Sequence, residues 1–123
     1  MVKISVDEGY AFDILSIFQV KIDNCADASK IKISEKAFDI LYSELKDQLG
    51  SGKILEIINS EEYRDLYREN KKTFLLVDQI RASNEVSLGK DIDKNNLSRF
   101  ECKRKLQNKF FDSQMLETKT KYE

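Results

Sequence analysis

The chain has 123 residues, no proline and no histidine, and 35% of its residues are charged. The absence of proline favours long uninterrupted helices, and the absence of histidine removes the commonest general base and metal ligand. The net charge of −1 creates no overall field that would attract nucleic acid or an anionic membrane, so neither is expected as a partner. Because serine and cysteine nucleophiles have no histidine partner, triad chemistry is excluded and no catalytic residue is predicted.

The chain opens with a predicted extended lead-in, because residues 1–5 alternate apolar and polar side chains. Ser5 to Glu8 matches a capping box, which predicts the start of a first helix. Apolar residues then recur at spacings of three and four, which predicts a helix at the centre of the fold. These residues are Ala11, Ile14, Leu15, Phe18, Ile22 and Cys25.

A second helix is predicted to begin near Asp27, or to restart at Ser34, and to end at Gly50–Gly52. Its apolar stripe comprises Ile31, Phe38, Leu41, Tyr42, Leu45 and Leu49. Residues 54–58 are predicted to form a short apolar turn. Residues 59–62 indicate a new helix N-terminus, because acidic side chains in a first turn interact favourably with the helix dipole.

The third long helix is predicted to continue to about Ser83. Asn70 is the one polar member of its apolar side, which otherwise comprises Tyr63, Leu66, Tyr67, Phe74, Val77 and Ile80. Residues 84–91 are predicted to form a loop that leads into a last helix.

The last helix is predicted over residues 93–111, with Leu97, Phe100, Leu106 and Phe110 facing inward. Residues 113–123 lack a sustained apolar stripe and are predicted to be a flexible tail beyond a helical domain of residues 1–112. The predicted fold class is therefore all-α, a single-domain bundle of about four main helices.

The cysteines and the N-terminus bear on the cellular compartment. Cys25 and Cys102 are widely separated and lack metal or redox spacing, which favours free thiols packed in a reducing compartment; a disulfide between them is the alternative. The most apolar window, residues 11–22, is too short and too charged to span a membrane. Asp7 and Glu8 lie where a signal peptide would carry positive charge, so a cytoplasmic location is predicted.

A group of polar residues near the start of the last helix suggests an anion-binding site. Asn96, Arg99 and Lys103 are spaced by three and four, so they share one side of that helix. Arg81 ends the preceding long helix, and a short loop would bring it close to them. Guanidinium groups and a lysine beside a helix N-terminus suit a phosphate or a carboxylate, so these four residues are the predicted ligand-binding site.

The same group of polar residues has an alternative interpretation, in which its role is to stabilise the structure. Asp91 or Asp93 would cap the last helix, and the arginines would form ion pairs that fix the preceding loop. The basic run Lys103–Lys105, together with Lys109, is interpreted as a solvated face near the helix C-terminus, where positive charge is favourable.

Several segments together resemble a family of short bacterial and phage proteins. They are Val2–Gly9, Asp13–Ile17 with Lys21–Ile22, Asp78–Arg81, Asn96–Arg99 with Lys103, and Glu117–Tyr122. The resemblance implies an all-helical domain of unknown activity, sometimes encoded near glycosyltransferase or surface-polysaccharide genes. Asp13 stands where the family has its aspartate, whereas Ile14 replaces the lysine that follows, and Glu8 and Gly9 are in reversed order. The resemblance implies no catalytic residue.

Two acidic pairs suggest an alternative enzymatic function. Glu44 with Asp47, and Glu62 with Asp65, are each spaced by three residues. This pattern is similar to that of the all-helical nucleotide pyrophosphohydrolases, in which carboxylates on adjacent helices hold magnesium. Asp47, however, lies opposite the apolar stripe of its helix and is expected to face solvent.

Four tyrosines lie on or beside the apolar stripes, either as core anchors or as part of a dimer or partner face: Tyr10, Tyr42, Tyr63 and Tyr67. The leading functional prediction is a non-catalytic binding or interaction module, a homodimer that recognises an anionic small molecule or a protein partner. No cofactor and no metal are predicted.

Overall fold

A computed structural model describes residues 2–83, 89–111 and 113 of the chain. Within these residues the protein has five helices and no strand, which confirms the all-α fold class. The helices are α1 (Glu8–Asn24), α2 (Ala28–Leu49), α3 (Ser51–Ile58), α4 (Glu61–Ser83) and α5 (Gly89–Phe110). Four of them are the predicted long helices, and α3 is a short additional one.

The start of α1 differs from the predicted capping box. Residue Asp7 is the N-cap, its backbone is extended, and Ser5 lies outside the helix. The N–H of Gly9, one of the first-turn donors that lack a partner within a helix, instead donates to Oε1 of Gln107 at 2.7 Å. The capping-box prediction is wrong, because the helix begins at Glu8 and Ser5 lies two residues before the N-cap.

Local signals account for the next two helix starts. Asp27 Oδ1 accepts hydrogen bonds from the hydroxyl of Ser29 and from the N–H groups of Ser29 and Lys30, which confirms the earlier of the two predicted starts of α2. These hydrogen bonds, the Ser29 hydroxyl first, hold the pKa of Asp27 below its ordinary value. Ser60 Oγ accepts from the N–H of Tyr63 at 3.1 Å and so caps α4, as the acidic N-terminal signal predicted.

The connection between α2 and α4 is more helical than predicted. Gly50 ends α2 with a φ of 87°, a conformation that favours glycine. The following residues form α3 instead of an apolar turn, and this helix buries Ile54 and Ile57 completely. The turn prediction is therefore wrong, because two further helical turns place both isoleucines in the core.

Helix α5 also departs from its predicted pattern. It begins at Gly89, so Asp91 and Asp93 lie within the helix and neither caps it. Leu97 is 41% exposed, which makes its predicted inward orientation wrong. The inward side of α5 is instead mostly polar and comprises Asn95, Lys103, Leu106 and Gln107. Residues 84–88 of the predicted loop and residues 114–123 of the predicted tail lie outside the described residues.

Helix α1 packs against α2, α4 and α5, which confirms its predicted central position. The core that it helps to form includes Phe12, Leu15, Leu66 and Leu106, all with no exposed surface. Tyr63 meets Phe12 edge to face at 6.4 Å between ring centroids, so this tyrosine is a core anchor. Burial raises the pKa of its hydroxyl.

Both cysteines, Cys25 and Cys102, are free and half-buried, so the structure contains no disulfide between them. No helix in the described part of the chain is both long and apolar enough to cross a membrane.

Candidate functional site

A buried carboxylate at the centre of the bundle joins three helices. Asp13 on α1 accepts a hydrogen bond at Oδ1 from Nδ2 of Asn70 on α4, at 2.9 Å. Its Oδ2 lies 3.3 Å from Nη2 of Arg99 and 3.9 Å from Nζ of Lys103, both on α5. Ser16, one turn after Asp13, accepts a second hydrogen bond from Asn70 at 2.5 Å. We call these five residues the Asp13 cluster.

The Asp13 cluster holds two cations against one carboxylate. The side chains of Asp13, Lys103 and Arg99 are 5%, 9% and 20% exposed, so these three charges are largely removed from water. Lys103 also lies over the rings of Tyr10 and Phe100, at 5.6 and 6.0 Å, and these cation–π contacts stabilise its charge. Arg99 is the more exposed cation and therefore the one that an external anion would reach.

Two atoms of the Asp13 cluster are buried without a hydrogen-bond partner among the described residues: Oδ1 of Asn70 and Nε of Arg99. Leaving a buried donor or acceptor unpaired costs free energy, and native proteins contain few such atoms. The hydrogen bonding of the cluster is therefore incomplete at Asn70 and Arg99, and both residues also line the cleft described next.

A cleft of about 610 Å³, which we call the central cleft, lies among α1, α2, α4 and α5 beside the Asp13 cluster. Each of these four helices contributes one cationic side chain to its lining, and α4 also contributes an acidic one. These charged residues are Lys21, Lys30, Arg81, Arg99 and Asp78. An apolar wall completes the cleft and includes Ile17, Val20, Ile33, Phe74 and Val77.

The periodicity of α4 explains how it lines the cleft. Asn70, Phe74, Val77 and Arg81 are spaced by four, three and four residues, so they share one side of the helix. The sequence pattern assigned the first three to an apolar core stripe. In the structure Phe74 and Val77 are only half-buried, and together with Asn70 and Arg81 they form one wall of the central cleft.

A second polar cluster fixes α4 against α5 near this wall. Nδ2 of Asn95 donates to Oε2 of Glu69 at 2.6 Å, and Oδ1 of Asn95 accepts from the hydroxyl of Thr73. Thr73 also lines the central cleft. These contacts set the spacing of the two helices that carry Arg81 and Arg99.

The four predicted site residues occupy three kinds of position. Arg81 and Arg99 both line the central cleft, on α4 and α5. Asn96 does not line it but accepts a hydrogen bond from Nη1 of Arg99 at 3.1 Å, which orients the guanidinium. Lys103 does not line the cleft either, and its side chain lies against Asp13. The ion pair that Arg99 forms is with Asp13 of α1, so it is not the ion pair with Asp91 or Asp93 that the structural alternative suggests.

The interpretation of the basic run as a solvated face is wrong for Lys103, which is 7% exposed. Arg104, Lys105 and Lys109 are exposed as expected. Lys103 differs because its position on α5 faces Asp13, and sequence periodicity does not reveal a counter-charge on another helix.

Sequence reasoning missed Asp13, Ser16, Lys21 and Lys30 as site residues. The sequence does contain a signal for two of them, because Asp13 and Ser16 are polar residues within the most apolar window of the chain. Asn70 is the matching polar interruption of the α4 stripe. Polar residues on the apolar sides of two helices indicate a buried polar contact between them, since buried polar groups are almost always hydrogen-bonded.

The four carboxylates of the hydrolase alternative do not meet. Glu44 and Asp47 are exposed on α2, which confirms that Asp47 faces solvent. On α4, Glu62 accepts from Lys109 at 2.7 Å, which holds the pKa of Glu62 below its ordinary value, and Asp65 pairs with Arg68 at 3.2 Å. Throughout the part of the chain that is described, no three acidic, cysteine or histidine side chains are grouped so that they could hold a metal ion.

Comparison of the chain with protein-family models, with curated proteins and with solved structures finds no match. The resemblance to the bacterial and phage family therefore stays a prediction, and the central cleft is the basis for inferring a function.

Proposed function

We propose that the protein is a small non-catalytic binding module that holds an anionic small molecule in the central cleft. The observation that carries this proposal is the composition of the cleft: its charged lining residues are four cations, one from each surrounding helix, and a single carboxylate. Arg81 and Arg99 are the principal ligand-binding residues, and Lys21 and Lys30 complete the positive lining.

The size and character of the cleft suit a small organic molecule. Ligand sites are typically clefts of about 300–1,000 Å³ with mostly apolar walls and a few well-placed polar groups. The central cleft, at about 610 Å³, combines an apolar wall that includes Phe74 and Val77 with two guanidinium groups. Guanidinium groups bind carboxylates and phosphates through paired hydrogen bonds, which are stronger than those between neutral groups.

Arg99 is held in place before any ligand binds. Asp13 contacts its Nη2 atom and Asn96 accepts from its Nη1 atom. A side chain that is already ordered loses less conformational entropy on binding, so this arrangement favours affinity. Arg81, by contrast, is exposed, and its role is to complete the contact with the anion from the facing helix.

The hydrolase alternative lacks comparable support, because its acidic pairs lie in two separate places on α2 and α4. Homodimer formation and a cytoplasmic location remain predictions. Sedimentation equilibrium at several protein concentrations tests the first, since a dimer would appear as a doubled mass.

Thermal unfolding in the presence of anions tests the proposed function. A ligand that binds only the folded state stabilises it by about 2.7 kcal/mol at a hundredfold excess over its dissociation constant. We expect inorganic phosphate, phenyl phosphate or benzenesulfonate to raise the unfolding midpoint of the parent protein. Because sulfate and phosphate also stabilise proteins nonspecifically, the comparison needs variants.

Two arginine variants on α4 provide the matched comparison. Arg81→Gln removes a cleft residue, whereas Arg68→Gln removes an exposed arginine that pairs only locally with Asp65. The proposal predicts that the anion-dependent shift is lost in Arg81→Gln and kept in Arg68→Gln. Equal shifts in both variants, or no shift with any of the three anions, would contradict it.

A further inference from the structure

We propose that the anion is a phosphate monoester with an apolar organic group, bound as its dianion. This inference rests on the proposed function, because it names the chemical class of ligand for the same cleft. It goes further because it predicts that the head group of the ligand is tetrahedral and doubly charged, unlike a carboxylate or another singly charged anion.

The charge of the central cleft favours a dianion. The four cations of the central cleft exceed its one carboxylate, Asp78, by three positive charges. Below the cleft, Asp13 pairs with Arg99 at 3.3 Å and offsets part of this surplus. A singly charged ligand would leave most of this surplus in place, whereas a dianion compensates two charges.

Two further acidic residues, Asp23 and Asp27, are chain neighbours of the cleft residues Asn24 and Ala26. Asp23, at the end of α1, accepts hydrogen bonds from Tyr67 at 2.8 Å and from Gln19 at 2.8 Å. Asp27 accepts hydrogen bonds from the N–H groups of Ser29 and Lys30 in the first turn of α2, and its charge also interacts with that of Lys30. Neither residue lines the central cleft, so the positive lining is available to an external anion.

The arrangement of the cations around the cleft favours a tetrahedral head group. The cationic side chains Lys21, Lys30, Arg81 and Arg99 come from four different helices that surround the cleft. A phosphate monoester has three terminal oxygens in a pyramidal arrangement, which accept hydrogen bonds from several sides at once. A carboxylate has two oxygens in one plane and would reach fewer of these donors.

The apolar side of the cleft favours a ligand with an organic group attached to the phosphate. The apolar wall of the cleft includes Val20, Phe74 and Val77, and Phe74 presents a half-buried aromatic ring. Inorganic phosphate would leave this wall uncovered. An organic group attached to the phosphate would cover it and remove apolar surface from water, which is favourable.

The absence of histidine makes the charge argument testable by pH. Aspartate, cysteine, lysine and arginine, the titratable residue types in the cleft lining, have ordinary pKa values outside the range of about 5 to 7.5. A phosphate monoester takes up its second proton with a pKa of about 6. A change in affinity across this range would therefore report the charge of the ligand.

Calorimetric titration with phenyl phosphate and benzenesulfonate provides the test, because the two probes share a ring and a tetrahedral head group. At pH about 7.5 the first is a dianion and the second a monoanion, and we expect phenyl phosphate to bind about tenfold more tightly. At pH about 5 phenyl phosphate is largely a monoanion, and the difference should fall to about threefold or less. Inorganic phosphate should bind more weakly than phenyl phosphate at both values.

Three results would overturn the inference, and they are distinguishable. Equal affinity for phenyl phosphate and benzenesulfonate at the higher pH would reject the dianion but leave anion binding intact. Equal affinity for phenyl phosphate and inorganic phosphate would reject the organic group. Binding of none of the three probes would reject the proposed function itself.

A pair of lysine variants on α2 adds an internal control. Lys30 lines the cleft, whereas Lys32 is exposed on the same helix and does not. Lys30→Gln should weaken phenyl phosphate binding by a larger factor than benzenesulfonate binding, and Lys32→Gln should leave both unchanged. Equal losses for both probes in Lys30→Gln would contradict a role for the second negative charge.

Discussion

The guanidinium of Arg99 lies against the carboxylate of Asp13, with 3.3 Å between Nη2 and Oδ2, although the residues are 86 positions apart in the chain. This contact joins α5 to α1 beside the central cleft. It couples the stability of the bundle to the orientation of a proposed ligand-binding residue. The consequences of changing either residue therefore differ from those of changing Arg81, which is exposed.

Replacing Asp13 by asparagine should destabilise the protein strongly. The substitution keeps the size of the side chain but removes the negative charge that Asp13 presents to Arg99 and Lys103, which costs about 3 kcal/mol or more. Urea unfolding measures the loss. Asp47→Asn, on the exposed side of α2, should change the free energy of unfolding by less than about 0.5 kcal/mol. Equal stability of the two variants would show that the Asp13 ion pairs contribute nothing.

Gly9→Ala should destabilise the contact between α1 and α5. A Cβ at this position would lie 2.8 Å from the carbonyl oxygen of Lys103 and 3.3 Å from Oε1 of Gln107. Because the closer atom belongs to the backbone, the helices have to separate, at a cost of about 1–3 kcal/mol.

Gly52→Ala is the matched control for Gly9→Ala. A Cβ at Gly52 would meet no atom within 4 Å, so this variant should be unchanged or up to about 1 kcal/mol more stable. Chemical denaturation compares the two variants. A Gly9→Ala protein as stable as Gly52→Ala would argue against close packing of the two helices.

The parts of the fold that can be predicted from the sequence are those determined by residues close to one another in the chain. The starts of α2 and α4 depend on Asp27 and Ser60, which hydrogen-bond within their own first turns, and glycine at position 50 marks a helix end. At the start of α1, by contrast, the N–H of Gly9 is satisfied by Gln107, 98 positions away. Such a partner leaves no trace in a short sequence pattern.

The candidate site shows the same difference between residues with local determinants and residues whose partners are distant in the chain. Helical spacing predicts Arg99 as a site residue, and the position of Arg81 at the end of the preceding helix predicts that a short connection brings it close to Arg99. Lys103 shared that spacing but turned inward, since Asp13 lies opposite it on α1. The cleft residue Lys21 looked like an ordinary surface charge, because the sequence does not show which helices surround a cleft.

The contribution of Asp27 to stability should depend on pH. Its folded-state pKa lies below the ordinary value of 3.8, so the charged carboxylate stabilises the protein above that value. This contribution is lost as the pH falls through the folded-state pKa. Asp27→Asn keeps a hydrogen-bond acceptor that does not titrate, so parent and variant should converge in unfolding midpoint as the pH is lowered towards about 2. A difference that stays constant with pH would contradict this assignment.

Variants of Arg81 and Arg99 should differ in their effect on stability, although both should weaken binding. Arg81→Gln should leave the urea midpoint unchanged, because the side chain is exposed. Arg99→Gln should lower the free energy of unfolding by about 1–3 kcal/mol, because it removes a charged partner of the buried Asp13. Both variants should bind phenyl phosphate more weakly than the parent. An Arg99→Gln protein of parental stability would show that Arg99 is not needed to compensate Asp13.

The position of the anion can be tested directly through Cys25, a free thiol that lines the central cleft. In a Cys102→Ser protein, Cys25 is the only thiol, and its rate of alkylation by a maleimide can be followed with and without phenyl phosphate. The matched control is Cys25→Ser, in which the remaining thiol, Cys102, lies outside the central cleft and has a pKa raised by burial. We predict that saturating phenyl phosphate slows alkylation of Cys25 by about tenfold or more and leaves that of Cys102 unchanged. An unchanged rate at Cys25, under conditions where calorimetry shows that the probe is bound, would contradict binding in the central cleft.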